Sequence, residues 1–420
     1  MNRFLQSIQS SLSSLAQRLT PLVGIDLGYF IPNFSWLAAG QLLATLLSFL
    51  LAILFSRTLP PEIFGKYTYA QSLFFIVSFF GLSGMGVAIT RAAAKKRFSI
   101  LPSAIVATFM SSLLGSLALL LLSGFFPGAD FLSLLFLALL FPLYYSTAHY
   151  AAFLQGLGQF RLSSILSLLP NFLSFTSLAL GLYLGIHSIV LLLVLTFLPI
   201  AVVQAVLTFF LLRRHRLVFN GWPFSSPDVG YGLRLSLIDI LPSVSLYSDK
   251  VLIGILLPPR DLAIYSFAIA IPEIIKGYMK NITLVAIPKL ADQRLIDYRK
   301  AMKRHFSFLF MTSVVLVGAY VLLSPFLFEL FFPAYRESVF YSQLFAFTLF
   351  LIPTFLFTSS FQAYKNTSAL ARMNVLYFVI QTLALVILIP KYGLVGAILG
   401  RALSRLAAGV YSGFLFFSST

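Results

Sequence analysis

The sequence predicts an all-α integral membrane protein, with twelve transmembrane helices in two pseudo-symmetric six-helix lobes, and three observations carry that prediction. Hydrophobic residues make up 59% of the 420 residues and charged residues only 10%, with a mean hydropathy of +0.96, far outside the range of soluble domains. Apolar runs of crossing length recur from Trp36 to Phe416; at about 20 residues per crossing there is room for a dozen helices and no soluble catalytic domain. A stretch of the first half returns in the second at a constant offset. Leu59–Ala70 (LPPEIFGKYTYA) lies without a gap over Leu257–Ala268 (LPPRDLAIYSFA), 198 residues on, with five identities in twelve. In the same register Ile89 falls on Ile287, Arg91 on Lys289 and Ala93 on Ala291. Internal repeats of this kind mark a two-lobed carrier with its site between the lobes.

Taken in order, residues 1–33 read as an amphipathic segment on the cytoplasmic membrane surface. Phe4, Leu5, Ile8, Leu12, Leu15, Ala16 and Leu19 recur at helical spacing among Ser, Gln and Arg, without the continuous apolar core of a signal peptide. The first lobe, 34–212, holds crossings at Trp36–Ser56, Tyr69–Ile89, Ser103–Phe125, Phe131–Phe153, Ser163–Gly185 and Ile189–Leu212. Residues 213–232, rich in Pro, Gly and Ser, read as a cytoplasmic linker. The second lobe, 233–420, holds Leu233–Leu257, Leu262–Ile287, Phe306–Leu327, Phe340–Phe361, Leu370–Ile389 and Leu394–Phe416. Pro142, Pro170, Pro199, Pro242, Pro272 and Pro353 fall inside these runs, where a missing N–H and a clashing ring bend a helix.

A net charge of +17 would suggest nucleic acid in a soluble protein. Here the bases sit in short clusters between apolar runs, the pattern of the positive-inside rule, so no nucleic-acid partner is expected. Eighteen bases fall on the side of the N-terminus, among them Arg91, Arg97, Arg213, Arg214, Lys289 and Arg304. Five fall opposite: Arg57, Lys66, Arg260, Arg336 and Lys391. Both termini are therefore expected in the cytoplasm. With no Cys, thiolate chemistry and disulfides are excluded. His149, His187, His215 and His305 stand singly, so neither a metal nor any other cofactor is expected.

Six charged residues lie in two adjacent crossings: Asp239, Asp249, Lys250, Glu273, Lys276 and Lys280. Each costs at least ~2.5 kcal/mol at membrane depth, which demands a partner or a wet cavity. At about 100° per residue Asp239 and Lys250 share a face, and Glu273, Lys276 and Lys280 share another. Depth along the helices predicts the pairs Asp239–Lys280 and Lys250–Glu273. Arg401 and Arg405, one turn apart in the last crossing, have no acid on their own helix and are expected to need an external anion. Beside them Gly396 and Gly400 permit close helix contact. At the matching first-lobe positions stand Gln41, Leu51, Ala52, Phe75, Ser78 and Leu82. One wall of the cavity is thus expected to be cationic and the other apolar and aromatic, which suits an amphiphile with an anionic head.

Ala38–Arg91 and Tyr247–Ala291, with Asp249-Lys250, Tyr265 and Pro288-Lys289, resemble the polysaccharide-transport (Wzx-type O-antigen flippase) family of the MATE-like, or MOP, flippase superfamily. The resemblance runs from about Trp36 to Phe416. It implies alternating access and export of undecaprenyl-diphosphate-linked oligosaccharide across the cytoplasmic membrane. Its partners would be that lipid-linked substrate, membrane lipid and polysaccharide polymerase machinery. The expected substrate contacts are Lys250, Lys276, Lys280, Arg401 and Arg405; Asp239, Asp249 and Glu273 serve coupling or ion pairing, and Arg91 and Lys289 form a cytoplasmic gate. A cation-coupled multidrug exporter of the same superfamily would need an acid where Gln41 stands. A membrane glycosyltransferase or ligase would need a large outer loop with clustered acids or bases, and no expected outer loop reaches twenty residues. Lipid II flippases would carry two further helices, for which the chain has no room.

Overall fold

A computed structural model describes residues 27–125, 130–219, 221–285, 295–363 and 367–418, and these form helices and short connections with no strand. The helices are α1 (Leu27–Thr58), α2 (Pro61–Ile76), α3 (Met85–Ala94), α4 (Ile100–Phe125), α5 (Phe131–Ser146), α6 (Tyr150–Gly156), α7 (Phe160–Tyr183) and α8 (Ile189–Arg214). There follow α9 (Pro227–Ile238), α10 (Ile240–Leu256), α11 (Pro259–Val285), α12 (Leu295–Phe331), α13 (Ser338–Ala346), α14 (Phe355–Ala363) and α15 (Thr367–Ser418). Among the described residues nine helical segments are long and apolar enough to cross a membrane, or up to eleven when two bent pairs each count as one span. The protein is a multi-pass membrane protein.

The repeat read from the sequence is a repeat of structure. The first helix ends at Thr58 and the next begins at Pro61; α10 ends at Leu256 and α11 begins at Pro259, at the same offset. In both turns a proline opens the second helix, where its missing N–H costs nothing and its φ is already helical. Residues 1–26, most of the expected amphipathic segment, lie outside the described residues, and α1 begins ahead of the expected Trp36. The stretch read as a linker is partly helical. Ser226, extended, is followed by Pro227 at the first position of α9.

The last two expected crossings are the arms of α15, joined at Gly393, whose φ of 57° and ψ of −132° interrupt the helix. The arms fold back on one another. A Cβ at Gly396 would lie 2.0 Å from the Leu388 carbonyl oxygen, and one at Gly400 3.0 Å from Leu385, the close contact expected of these glycines.

The interior prolines differ in effect. Helices α7, α8 and α11 run on through Pro170, Pro199 and Pro272. Two spans are bent, between α2 and α3 at 51° and between α9 and α10 at 40°. The first breaks at Val77, with no proline beside it, and the second lies four residues ahead of Pro242, whose ring and missing N–H free the Ile238 carbonyl. The two bends face each other across the lobes: Ser83 donates to Asp239 at 3.0 Å and the Gly84 N–H donates to the Ser236 hydroxyl at 3.0 Å. A Cβ at Gly84 would fall 2.5 Å from Leu235.

In lipid the helices gain no hydrophobic drive toward one another, so close approach and interhelical hydrogen bonds hold the bundle. Hydroxyls close many crossings: Ser116 donates to the Ala138 carbonyl (2.7 Å), Ser174 to Thr196 (2.8 Å), Thr208 to Thr147 (2.8 Å) and Ser342 to Ala268 (2.6 Å). The lobes meet at the end that carries the two Pro-Pro turns. A Cβ at Gly65 would sit 1.8 Å from the Pro259 carbonyl oxygen. The Phe64 and Phe267 rings lie 4.8 Å apart, Phe267 and Tyr335 4.1 Å, and Arg57 donates to the Leu330 carbonyl at 2.8 Å. Toward the other end α1 and α11 are separated by an apolar groove lined by Leu42, Leu46, Ile274 and Tyr278.

From the charge bias the Pro-Pro end is expected to be the outer one. Because the chain has no Cys, single cysteines report the orientation. Ser338 is fully buried, so the exposed Arg336 beside it is the better outer probe. Arg336→Cys is expected to react with an impermeant maleimide only from outside the cell, and Arg214→Cys only from the cytoplasm. Labelling of Arg214→Cys from outside reverses the orientation.

Candidate functional site

The intramembrane charges of the second lobe converge. From α10, Asp249 is fully buried and accepts a 2.6 Å hydrogen bond from the Tyr265 hydroxyl of α11 and a 2.7 Å ion pair from Arg401 of α15. Arg401 also reaches Glu273 of α11 at 3.1 Å. Glu273 is shared: it pairs with Arg405 through one oxygen and with Lys276 through the other. Arg405 donates as well to the Thr348 hydroxyl at 2.9 Å. Both guanidinium groups lie over the Phe345 ring, 5.4 and 5.0 Å from its centroid, where the ring quadrupole favours a cation.

Local geometry explains the convergence. Arg401 and Arg405 are one helical turn apart, as are Glu273 and Lys276, so each pair presents one face. On α10 the residue that faces α15 is Asp249, and its partner is the arginine there. The expected pair Lys250–Glu273 does not form: Lys250 makes no ion pair among the described residues. The expectation that Arg401 and Arg405 lack an anion is also corrected. Their acids, Asp249 and Glu273, come from neighbouring helices, and the face of a single helix carries no information about its neighbours' faces. Asp239 takes its hydrogen bond from Ser83 of the first lobe. The Lys280 side chain lies outside the described residues, as does Lys289. Arg91, the other expected gate residue, places its guanidinium 4.9 Å from the Tyr231 ring centroid.

Beside the cluster is a cavity of about 270 Å³ lined by Lys276, Arg401 and Arg405, with Tyr377, Asn374, Thr348 and Thr358. Exposure separates the three cations. The Arg401 side chain is 5% exposed, Arg405 11% and Lys276 23%. Arg401 is thus an anchor, while Lys276 and Arg405 are within reach of a ligand. The three bases meet two acids, Asp249 and Glu273, so the cluster carries a formal excess of positive charge. Sequence reasoning missed Tyr265 as a hydrogen-bond donor, although the repeat sets it over Tyr67. It missed Gln381 too, which donates to the Ser245 carbonyl at 2.7 Å and to Ser248 at 3.0 Å.

The first lobe holds the uncharged counterpart, a cavity of about 380 Å³ lined by rings that include Phe55, Tyr67, Phe75, Tyr144 and Phe197, with Gln71 and Asn171 among them. The expected cationic and aromatic surfaces occur in two separate cavities, one in each lobe, and not as two walls of one.

Solved structures share this architecture of many apolar helical spans in two lobes related by a repeat. The chain is similar to the lipid II flippase MurJ in an inward closed conformation, with a TM-score of 0.70 and 16% identity over 91% of this chain and 87% of that one. It is similar to a multidrug resistance MATE family transporter of the MOP superfamily in an inward-facing conformation (TM-score 0.68, 15% identity, 89% and 94% covered). A third likeness is to a MOP superfamily transporter from Pyrococcus furiosus described by a reverse polarity of its binding pocket (TM-score 0.62, 14% identity, 92% and 94% covered). No curated protein sequence matches the chain. The chain belongs to the polysaccharide biosynthesis protein family, whose sequence profile matches residues 30–294.

Removing one partner of a buried ion pair strands the other, at a cost of about 3–5 kcal/mol, whereas removing both is far milder. Asp249→Leu is therefore expected to lower the unfolding temperature of the purified protein sharply. Asp249→Leu with Arg401→Leu is expected to recover most of that loss. A double variant no more stable than the single one removes Asp249 as the partner of Arg401.

Proposed function

We propose that the protein is a flippase that carries undecaprenyl-diphosphate-linked oligosaccharide, an O-antigen or other surface polysaccharide repeat unit, across the cytoplasmic membrane. In this reading twelve crossings form the two lobes, both termini are cytoplasmic, and the lobes rock about a site between them. The observation that carries it is the cavity of the second lobe, into which Lys276 and Arg405 open while Arg401 holds them in place. Membership of a polysaccharide biosynthesis family supports the substrate class.

The diphosphate competes with Glu273 for Lys276 and Arg405. Both are held by that one carboxylate, and an incoming anion of higher charge takes over charge-assisted hydrogen bonds from it. The arginine presents a planar fork that matches phosphate oxygens, the lysine a point charge. Glu273, once displaced, is free to pair elsewhere, which gives the substrate a different contact free energy in the two conformations, as alternating access requires. The lobes touch at the Pro-Pro end, and an apolar groove parts α1 from α11 toward the other. The polyprenyl chain stays in lipid while the head enters.

A cation exporter on the same fold would use free acids in this cavity. Asp249 and Glu273 are both engaged by bases, which disfavours that reading.

The test is translocation of a fluorescent undecaprenyl-diphosphate sugar in liposomes that contain only this protein. Transport is expected, with a loss of at least about tenfold for Arg405→Ala or Lys276→Ala in protein that still inserts and elutes as the parent. Arg405→Lys is expected to keep part of the rate, because charge survives while the fork is lost. Export of a cationic dye with no movement of the lipid overturns the flippase reading.

A further inference from the structure

The aromatic cavity of the first lobe has no part in binding a diphosphate, and its lining is specific in kind. Tyr67, Phe75 and Tyr144 present rings, Gln71 and Asn171 present carboxamides, Thr196 a hydroxyl, and among the described residues no charged side chain lines it. The polar atoms are only partly spent. Tyr67 and Thr196 share one 2.8 Å hydrogen bond, and the Gln71 amide nitrogen reaches Tyr67 only at 3.4 Å. The Gln71 carbonyl oxygen and the Tyr144 hydroxyl have no hydrogen-bond partner among the described residues. At about 380 Å³ the space falls in the range of small-ligand pockets, where a few placed polar groups among apolar walls set orientation.

Position adds to composition. By the repeat Phe75 stands at the level of Glu273 and Tyr67 at that of Tyr265, and the cavity extends from Phe75 toward Phe55 at the Pro-Pro end. The cationic cavity extends the other way, to Met373 and Ser412 near the ends of α15. Phe75, which lines this cavity, stacks on Tyr247 of α10, with centroids 5.1 Å apart and planes 20° from parallel, and the preceding residues Ser245 and Leu246 line the cationic cavity. A head group that enters from the end where α15 starts and finishes meets the cations first and the rings beyond them.

We infer that the first-lobe cavity is a sugar subsite, which takes an uncharged pyranose ring of the head group while the second lobe holds the diphosphate. The apolar C–H face of a pyranose packs on aromatic rings. Its hydroxyls are donors and acceptors for the Gln71 and Asn171 carboxamides and the Tyr144 hydroxyl. The absence of charge from the lining selects a neutral sugar, since a buried uronate would stand without a partner. This inference rests on the flippase reading and assigns the two ends of one substrate to the two lobes.

Binding to the full-length protein in detergent tests it with three probes: bare undecaprenyl diphosphate, undecaprenyl-diphospho-N-acetylglucosamine and undecaprenyl-diphospho-galactose. At least one glycosylated probe is expected to bind about tenfold more tightly than the bare lipid. Gln71→Leu and Tyr144→Phe, the latter losing a single oxygen, are each expected to cut that ratio severalfold, whereas Lys276→Ala weakens all three probes together. Equal affinity of the parent protein for all three probes overturns the sugar subsite and leaves the flippase reading standing. So does a ratio untouched by both first-lobe variants. Failure of every probe to bind overturns both.

Discussion

Everything in the second lobe is registered on the buried pair of Arg401 and Asp249. A charged side chain at membrane depth costs at least ~2.5–3.5 kcal/mol on insertion scales, so neither residue is tolerable there alone. Together, with the Tyr265 hydroxyl on the carboxylate and the Phe345 ring beneath the guanidinium, they cancel most of that cost, but only when α10, α11 and α15 stand in one relative register. One turn further along α15 is Arg405, about 6 Å from Arg401 at 1.5 Å per residue. Fixing the first arginine therefore fixes the second. The pair is not tuned for stability alone: one oxygen of Asp249 and the Arg401 Nε have no hydrogen-bond partner among the described residues. A well-packed apolar replacement would often serve stability as well. What the ion pair adds is position.

The lobes are joined differently. Between lobes the contacts are close backbone approaches and aromatic rings, with the facing bends of α2–α3 and α9–α10 as a second seam. After the α2–α3 bend the Gly84 N–H is buried, and in a membrane such a group must be satisfied by a neighbour. Here the neighbour is the opposite lobe, through Gly84 to Ser236 and Ser83 to Asp239. Each bend is therefore conditional on the other. Separating the lobes along this seam would strand the buried Gly84 N–H, whereas the groove between α1 and α11 is apolar and parts without such a cost. The arrangement favours motion on one side of the interface over the other.

How much of this was legible follows from where the information resides. The helices could be read because hydrocarbon demands long apolar runs, and the Pro-Pro turns because a five-in-twelve match at one offset survives in the chain. Gly396 and Gly400 announced a close contact that the arms of α15 make. The partners of the buried charges could not be read. A helical wheel places Lys250 and Glu273 at compatible depths, yet which face of α10 meets α15 depends on packing spread over both helices, and Asp249 occupies that face. The bends were only partly legible. Pro242 signals the α9–α10 bend, four residues ahead of it, but Pro170, Pro199 and Pro272 lie within continuous helices, and the bend at Val77 has no proline beside it.

The two tyrosines of the repeat show how one ancestral unit yields two chemistries. Tyr67 and Tyr265 occupy equivalent places on α2 and α11. In the first lobe the hydroxyl meets Thr196, uncharged, and the residue matching Asp249 is Leu51; in the second it meets Asp249 itself. One substitution on the neighbouring helix converts a neutral pocket into a site that must import a base, and Arg401 is that base. Once an arginine is present, its helix can carry a second at one turn's distance, Arg405, which in turn requires Glu273. Charge in the second lobe is thus a connected set in which each member is the condition for the next. The first lobe, without the first member, keeps rings and amides. The two cavities, one in each lobe, thus differ in charge, and a substrate with an anionic end and a neutral end matches them in one orientation only.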